Sequence, residues 1–170
     1  MKRQSNISNH VSVVVTREVN RVKQLLMVKQ MIDTIDVSSG TEVEVEVFSL
    51  PNAVCLWRSA PAIAKRLVKE LLHKDFKDEM TFPLVPSKIL PVGETEEFIC
   101  MGSVSYDPNA DNATDVSTEG GQELYWLSVR EAYYLLSKQM VHDEDFKEDK
   151  LLDLHSLVTL SILHTMKLLG

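Results

Sequence analysis

A chain of 170 residues that is 44% hydrophobic and 25% charged has the makeup of one ordinary globular domain, and is long enough to bury a core without disulfides or metal. It has no run of about 18 apolar residues, so no transmembrane segment is expected. The opening Met1-Lys2-Arg3-Gln4-Ser5-Asn6 lacks the apolar stretch of a secretory signal, and the only two cysteines, Cys55 and Cys100, read as reduced core residues. An intracellular, cytoplasmic protein is the expectation.

Charge is distributed unevenly. Residues 1–30 carry a net +5 and residues 31–170 a net −12. Between Lys88 and Arg130 there is no basic residue, yet eight acids occur there. A basic arm on an acidic body can reach for nucleic acid, an anionic membrane or a second copy of itself.

In chain order, residues 1–10 read as a loose tail. Val11 to Val15 fits a short strand or the first turn of the next element. Val19, Val22, Leu25, Leu26, Ile32 and Ile35 recur at helical spacing, with Arg17, Arg21, Lys23 and Lys29 on the remaining face. The pattern predicts an amphipathic helix with a basic outer side, ended by Ser38-Ser39-Gly40. Glu42, Glu44 and Glu46 then alternate with Val43, Val45 and Val47, which predicts a half-buried strand over Glu42–Leu50.

The type of the apolar segment Ala53–Trp57 stays open. Ser59 is placed to cap a helix, Pro61 is tolerated in its first turn, and the helix should end near His73. Pro83, Pro86 and Pro91 keep 81–92 extended. Glu97–Tyr106 reads as a strand closed by Asp107-Pro108-Asn109, and 107–121 as a mobile acidic loop. After a strand candidate at Leu124–Leu127, Ser128 and Glu131 have capping-box spacing and start another helix. The last helix, from about Lys150 to Leu169, is apolar around most of its circumference, so a central position or a covering partner is expected, with Leu157, Leu160 and Leu168 at an interface. The expected class is α+β: a small antiparallel sheet packed with about four helices, the carboxy-terminal third helical, in a single domain over 1–170.

No phosphate loop, nucleophile elbow, paired-cysteine motif or His pair at i, i+4 is present. Asp107, Asn109, Asp111 and Asp115 place oxygen side chains at alternate positions, the pattern of a calcium loop, but Asn112 stands where that loop needs glycine. The candidate binding residues are therefore Arg17, Arg21, Lys23 and Lys29 on the basic face, with those four oxygen ligands as the candidate metal site. No cofactor is expected.

Phe82-Pro83-Leu84-Val85 is similar to the Phe-Pro-x-Val budding signal of matrix proteins of negative-strand RNA viruses. The order of strand, helix, proline-rich link and strand from Glu42 to Tyr106 resembles the first half of a rhabdovirus-type matrix domain. That resemblance implies a viral structural protein and makes Phe82, Pro83, Leu84 and Val85 candidate binding residues.

The sequence thus leads to the expectation of a non-catalytic assembly protein, acting through self-association and charge-complementary contacts. Its expected partner is protein, including itself, with nonspecific nucleic-acid or anionic-membrane contact through the basic amino-terminal region. The alternatives are a small enzyme with a scattered acid and histidine site around the 107–121 loop and His142, or a calcium-dependent binding module.

Overall fold

The computed structural model describes residues 8–56, 58–84, 96–112, 116–119, 122–141 and 150–170. In chain order they form β1 (Ser8–Val19), β2 (Val22–Ile35), β3 (Glu42–Ser49), β4 (Asn52–Leu56), α1 (Ala60–Leu72), β5 (Lys77–Pro83), β6 (Glu96–Ser103), β7 (Val116–Glu119), β8 (Gln122–Ser128), α2 (Val129–Val141), β9 (Lys150–Leu152) and α3 (Leu154–Thr165). The chain divides into two units, one of Met1–Lys23 with Pro51–Asp111 and the other of Gln24–Leu50 with Asn112–Gly170.

In the first unit β6 lies beside β1 in parallel, β5 extends β6 in antiparallel fashion, and β4 pairs antiparallel with the first part of β1. Val11, Val13, Val14 and Val15 are all fully buried, so β1 is covered on both faces and shows a continuous apolar run instead of alternation. β5 bulges between Asp78 and Met80 as it passes Gly102. A Cβ on Gly102 would run into the Lys77 carbonyl and the Phe76 ring, so only glycine allows that approach.

Helix α1 packs beside these strands. Ser59 Oγ accepts the Ala62 N–H, Pro61 sits in the first turn, and His73 closes the helix in the left-handed region while donating its N–H to the Lys69 carbonyl at 3.0 Å. Ala60, Ile63, Ala64 and Val68 form the buried stripe. Burying Ile63 and Val68 contributes roughly 1.5–3 kcal/mol each.

The second unit has strand order β7-β8-β2-β3-β9, antiparallel except for the parallel β3–β9 pair. Leu25, Leu26, Met27, Phe48, Leu124, Leu160 and Leu163 make its core. Ser128 caps α2: its Oγ accepts the Glu131 N–H at 3.1 Å, the serine half of the expected box, and donates to the Glu131 carboxylate at 3.0 Å. Asp153 caps α3 through the Ser156 N–H, and Ser156 Oγ accepts the Leu50 N–H at 2.8 Å.

The α+β class stands, but the architecture departs from the small antiparallel sheet with four helices. The described residues contain nine strands and three helices, with two parallel pairings. The basic helix expected over 17–35 is the end of β1, a two-residue turn and β2. Asn20 and Arg21 both have positive φ, 50° and 66°, the backbone of a tight hairpin turn. The carboxy-terminal third is not wholly helical either, because Lys150–Leu152 joins the β3 edge. Leu160, expected at an interface, is fully buried in its own unit. The tail expected over 1–10 gives way to strand at Ser8, and β7 falls inside the expected 107–121 loop. Among the described residues no helix is long and apolar enough to cross a membrane.

Candidate functional site

In the first unit, polar side chains gather where β1, α1 and β6 all end. Val104 donates its N–H to the Thr16 carbonyl at 2.9 Å, and Thr16 Oγ1 donates to the Gly102 carbonyl at 3.2 Å, which fixes the exit of β6 against β1. Arg17 comes next in β1, only 5% exposed, its guanidinium carbon 5.1 Å from the centre of the Tyr106 ring. Lys74, just past the left-handed cap of α1, forms an ion pair with Asp111 and donates to the Ser105 carbonyl at 2.6 Å.

Asp111 also accepts the Asp107 N–H at 2.8 Å, while Asp107 Oδ1 accepts the Asn109 N–H at 2.9 Å. The Lys74 ammonium holds the Asp111 carboxyl below its ordinary range, with the Asp107 N–H next in weight and the Arg17 charge a smaller contributor. The turn is therefore built on its own acids. Asp107, Asn109 and Asp111 do come together, with hydrogen bonds to backbone and lysine; Asp115 lies outside the described residues.

A second polar group lies between β5 and β6. Thr81 Oγ1 donates to Cys100 Sγ at 3.2 Å, and the thiol faces Asp78 Oδ1 at 3.5 Å. Burial pushes the Cys100 thiol up to about 11, so it is an inert neutral group at physiological pH, in keeping with the core role expected of it. The outward residues of α1 are Lys65, Arg66, Lys69 and Glu70, the acid pairing with Arg66 at 3.0 Å.

The remaining sequence candidates differ in their surroundings. Arg17 is buried, while Arg21 and Lys23 are exposed around the hairpin turn. Lys29, in the second unit, reaches Glu46 at 3.0 Å and Glu123 at 3.5 Å across neighbouring strands. The Glu46 hydrogen bond outweighs desolvation and raises the Lys29 ammonium above its ordinary value. Phe82 and Pro83 pair with Ile99 and Phe98 in the β5–β6 ladder, and Leu84 donates its N–H to the Glu97 carbonyl at 2.8 Å. Val85 and His142 lie outside the described residues.

No protein-family model and no curated protein sequence matches the chain. Solved structures do resemble it. A Nudix hydrolase from M. smegmatis, RenU, superposes with a TM-score of 0.52 at 10% identity, over 94% of this chain and 86% of that one. The chain has the Nudix hydrolase fold. The E. coli ORF135 protein (TM-score 0.49, 11% identity, 95% and 92% covered) and a C. elegans Ap4A hydrolase (0.45, 10%, 96% and 98%) are more distant.

This fold overturns the matrix-type resemblance, and Phe82 and Pro83 of its signal are part of an ordinary strand ladder. The expectation of a non-catalytic viral assembly protein falls with it. Of the four cations in its charge argument, Lys29 is held by carboxylates of its own unit and Arg17 is buried. Lys74, Ser105 and Tyr106 were not among the residues the sequence singled out. Lys74 and Asp111 are 37 positions apart with no spacing rule to join them, and the one visible hint was a lysine directly after a helix cap.

Proposed function

We propose that the chain is a small hydrolase whose substrate is an anionic, phosphate-bearing small molecule. The single observation that carries this reading is the backbone correspondence with RenU along 94% of the chain. A fold hosts many chemistries, so the substrate class is argued from the surface of the first unit. The exposed side of α1 offers Lys65, Arg66 and Lys69; Arg66 pairs with Glu70 at 3.0 Å and Lys69 with Asp75 at 3.3 Å, and the one charge left over attracts phosphate oxygens. In this reading Lys74 and Asp111 hold the 107–111 turn, and exposed Asp107 accepts the proton of an attacking water as the bond from phosphorus to the leaving oxygen breaks.

The test is product formation by the purified chain from a panel of nucleoside and dinucleoside polyphosphates, Ap4A included, with and without Mg²⁺. Turnover of at least one compound is expected. Asp107→Asn should lower kcat by about 100-fold, whereas Arg66→Ala with Lys69→Ala should act mainly on KM. Absence of product across the whole panel would overturn the reading.

A further inference from the structure

In the second unit the β2–β3 hairpin runs past the point where its neighbours stop among the described residues. From Gln30 to Ile35 every residue of β2 is exposed, and so are Glu42, Val43 and Glu44 of β3. Five large apolar side chains share this short ribbon: Met31, Ile32, Ile35, Val37 and Val43, with Val37 95% exposed. The valines expected to be the buried face of β3 are therefore open or half-open. By the strand register Ile32 and Val43 lie on one face with Val45, and Met31 and Ile35 on the other with the glutamates; apolar side chains left open in this way mark a place where another molecule binds.

The edge of β3 has a definite hydrogen-bonding pattern. The Phe48 carbonyl accepts the Asp153 N–H at 3.2 Å, so the backbone groups of Phe48 point toward β9. By the two-residue period of a strand, those of Glu46, Glu44 and Glu42 point the same way, and those of Val43 and Val45 point to β2. β9 covers the edge only as far as the Glu46–Lys150 pair. Beyond it, among the described residues, the N–H and C=O of Glu44 and Glu42 pair with no strand, which is the geometry that accepts an added one.

Side-chain charge selects what can be added. Glu42 and Glu44 share one face with Asp33, and Asp33 stands directly opposite Glu44 across the strand pair. Like charges in that relation destabilise a hairpin. The opposite face, with Ile32, Val43 and Val45, carries no charge. A second copy of β3 would bring glutamate against glutamate, whereas a cationic strand would relieve the repulsion.

We propose that this open edge binds an extended segment of a partner protein in which lysine or arginine alternates with apolar residues. The cations lie beside Glu42, Glu44 and Asp33, the apolar residues beside Val43 and Val45, and the backbone pairs with Glu42 and Glu44. The site is separate from the residues proposed for hydrolysis, so it stands or falls independently.

The experiment uses the full chain and two blocked hexapeptides of the same composition, one alternating lysine with valine and one with three lysines followed by three valines. Amide hydrogen exchange is read by NMR. The alternating peptide should slow exchange at Glu42 and Glu44 by about tenfold or more, leaving Val43 and Val45 unchanged because β2 already holds them. Glu42→Lys and Glu44→Lys should each weaken its binding by about tenfold. Equal binding of the block peptide, or unchanged exchange at both glutamates, would overturn the proposal, because either means unspecific charge attraction.

Discussion

The side chain of Gln139 does for Leu152 what a neighbouring strand would do. Its amide donates to the Leu152 carbonyl and accepts the Leu152 N–H, both at 2.9 Å. β9 is only three residues long, and this bracket from α2 satisfies the edge that β3 does not face. Gln139→Ala leaves both backbone groups of buried Leu152 without a protein partner. The expected loss is about 2 kcal/mol, seen as a fall in Tm of roughly 4–8 °C. Gln139→Glu should not rescue it, because a carboxylate repels the Leu152 carbonyl. An unchanged melting curve for both variants would show that the bracket carries no stability.

Cys100 offers a kinetic check on packing. With its thiol pushed up to about 11 by burial, the fraction ionised near neutral pH is about 100-fold below that of an ordinary cysteine. In a Cys55→Ser background, iodoacetamide should therefore label Cys100 at least 100-fold more slowly than a free thiol, with full reactivity returning in denaturant. The sign for stability comes from the raised value. The contribution is complete below the unfolded pKa near 9 and is lost as pH rises through about 11, so mildly alkaline solution should begin to destabilise the fold. Rapid labelling of the folded chain would contradict the buried position.

What the sequence made legible was local. Ser59, Pro61 and His73 mark both ends of α1 because capping chemistry is decided within one turn of the chain, and Ser128 with Glu131 marks the start of α2 for the same reason. The strands β1 and β2 were not legible. Their apolar positions fit a helical period about as well as a strand covered on both faces, where Leu25 to Val28 forms an unbroken buried run. The turn that would have decided the matter carries no glycine. Long-range pairings such as Lys74 with Asp111, or Lys29 with Glu46 and Glu123, depend on strand order, which no local pattern encodes.

That turn yields a stabilising substitution. Arg21 holds φ at 66°, a conformation that costs a side chain with a Cβ about 1 kcal/mol relative to glycine. Arg21→Gly completes the Asn-Gly pair favoured by two-residue hairpins. Stability should rise by up to about 0.5 kcal/mol, after the roughly 0.4–1 kcal/mol for the greater freedom of glycine in the unfolded chain is subtracted. Denaturant titration should show a higher midpoint with unchanged slope. A drop in midpoint would mean that the Arg21 side chain makes a contact outweighing its backbone cost.

Asp111 makes the stability of the first unit depend on acid. Its carboxyl is held below the ordinary range by Lys74 first and then by the Asp107 N–H, so its contribution is present above the unfolded value near 3.9 and lost as pH falls through the lower folded value. Asp111→Asn removes that contribution, and the stability gap between the two proteins should be constant from pH 7 to about pH 5 and close below about pH 4. Lys74→Met should show a gap that also narrows in acid, because the carboxylate left without its cation is protonated more readily. The pairing is half-buried, with 23% of the Lys74 side chain and 19% of the Asp111 side chain exposed, so added salt should shrink the gap only partly. A gap that stays constant down to pH 2 would mean that Asp111 acts through its shape in the turn and not through its charge.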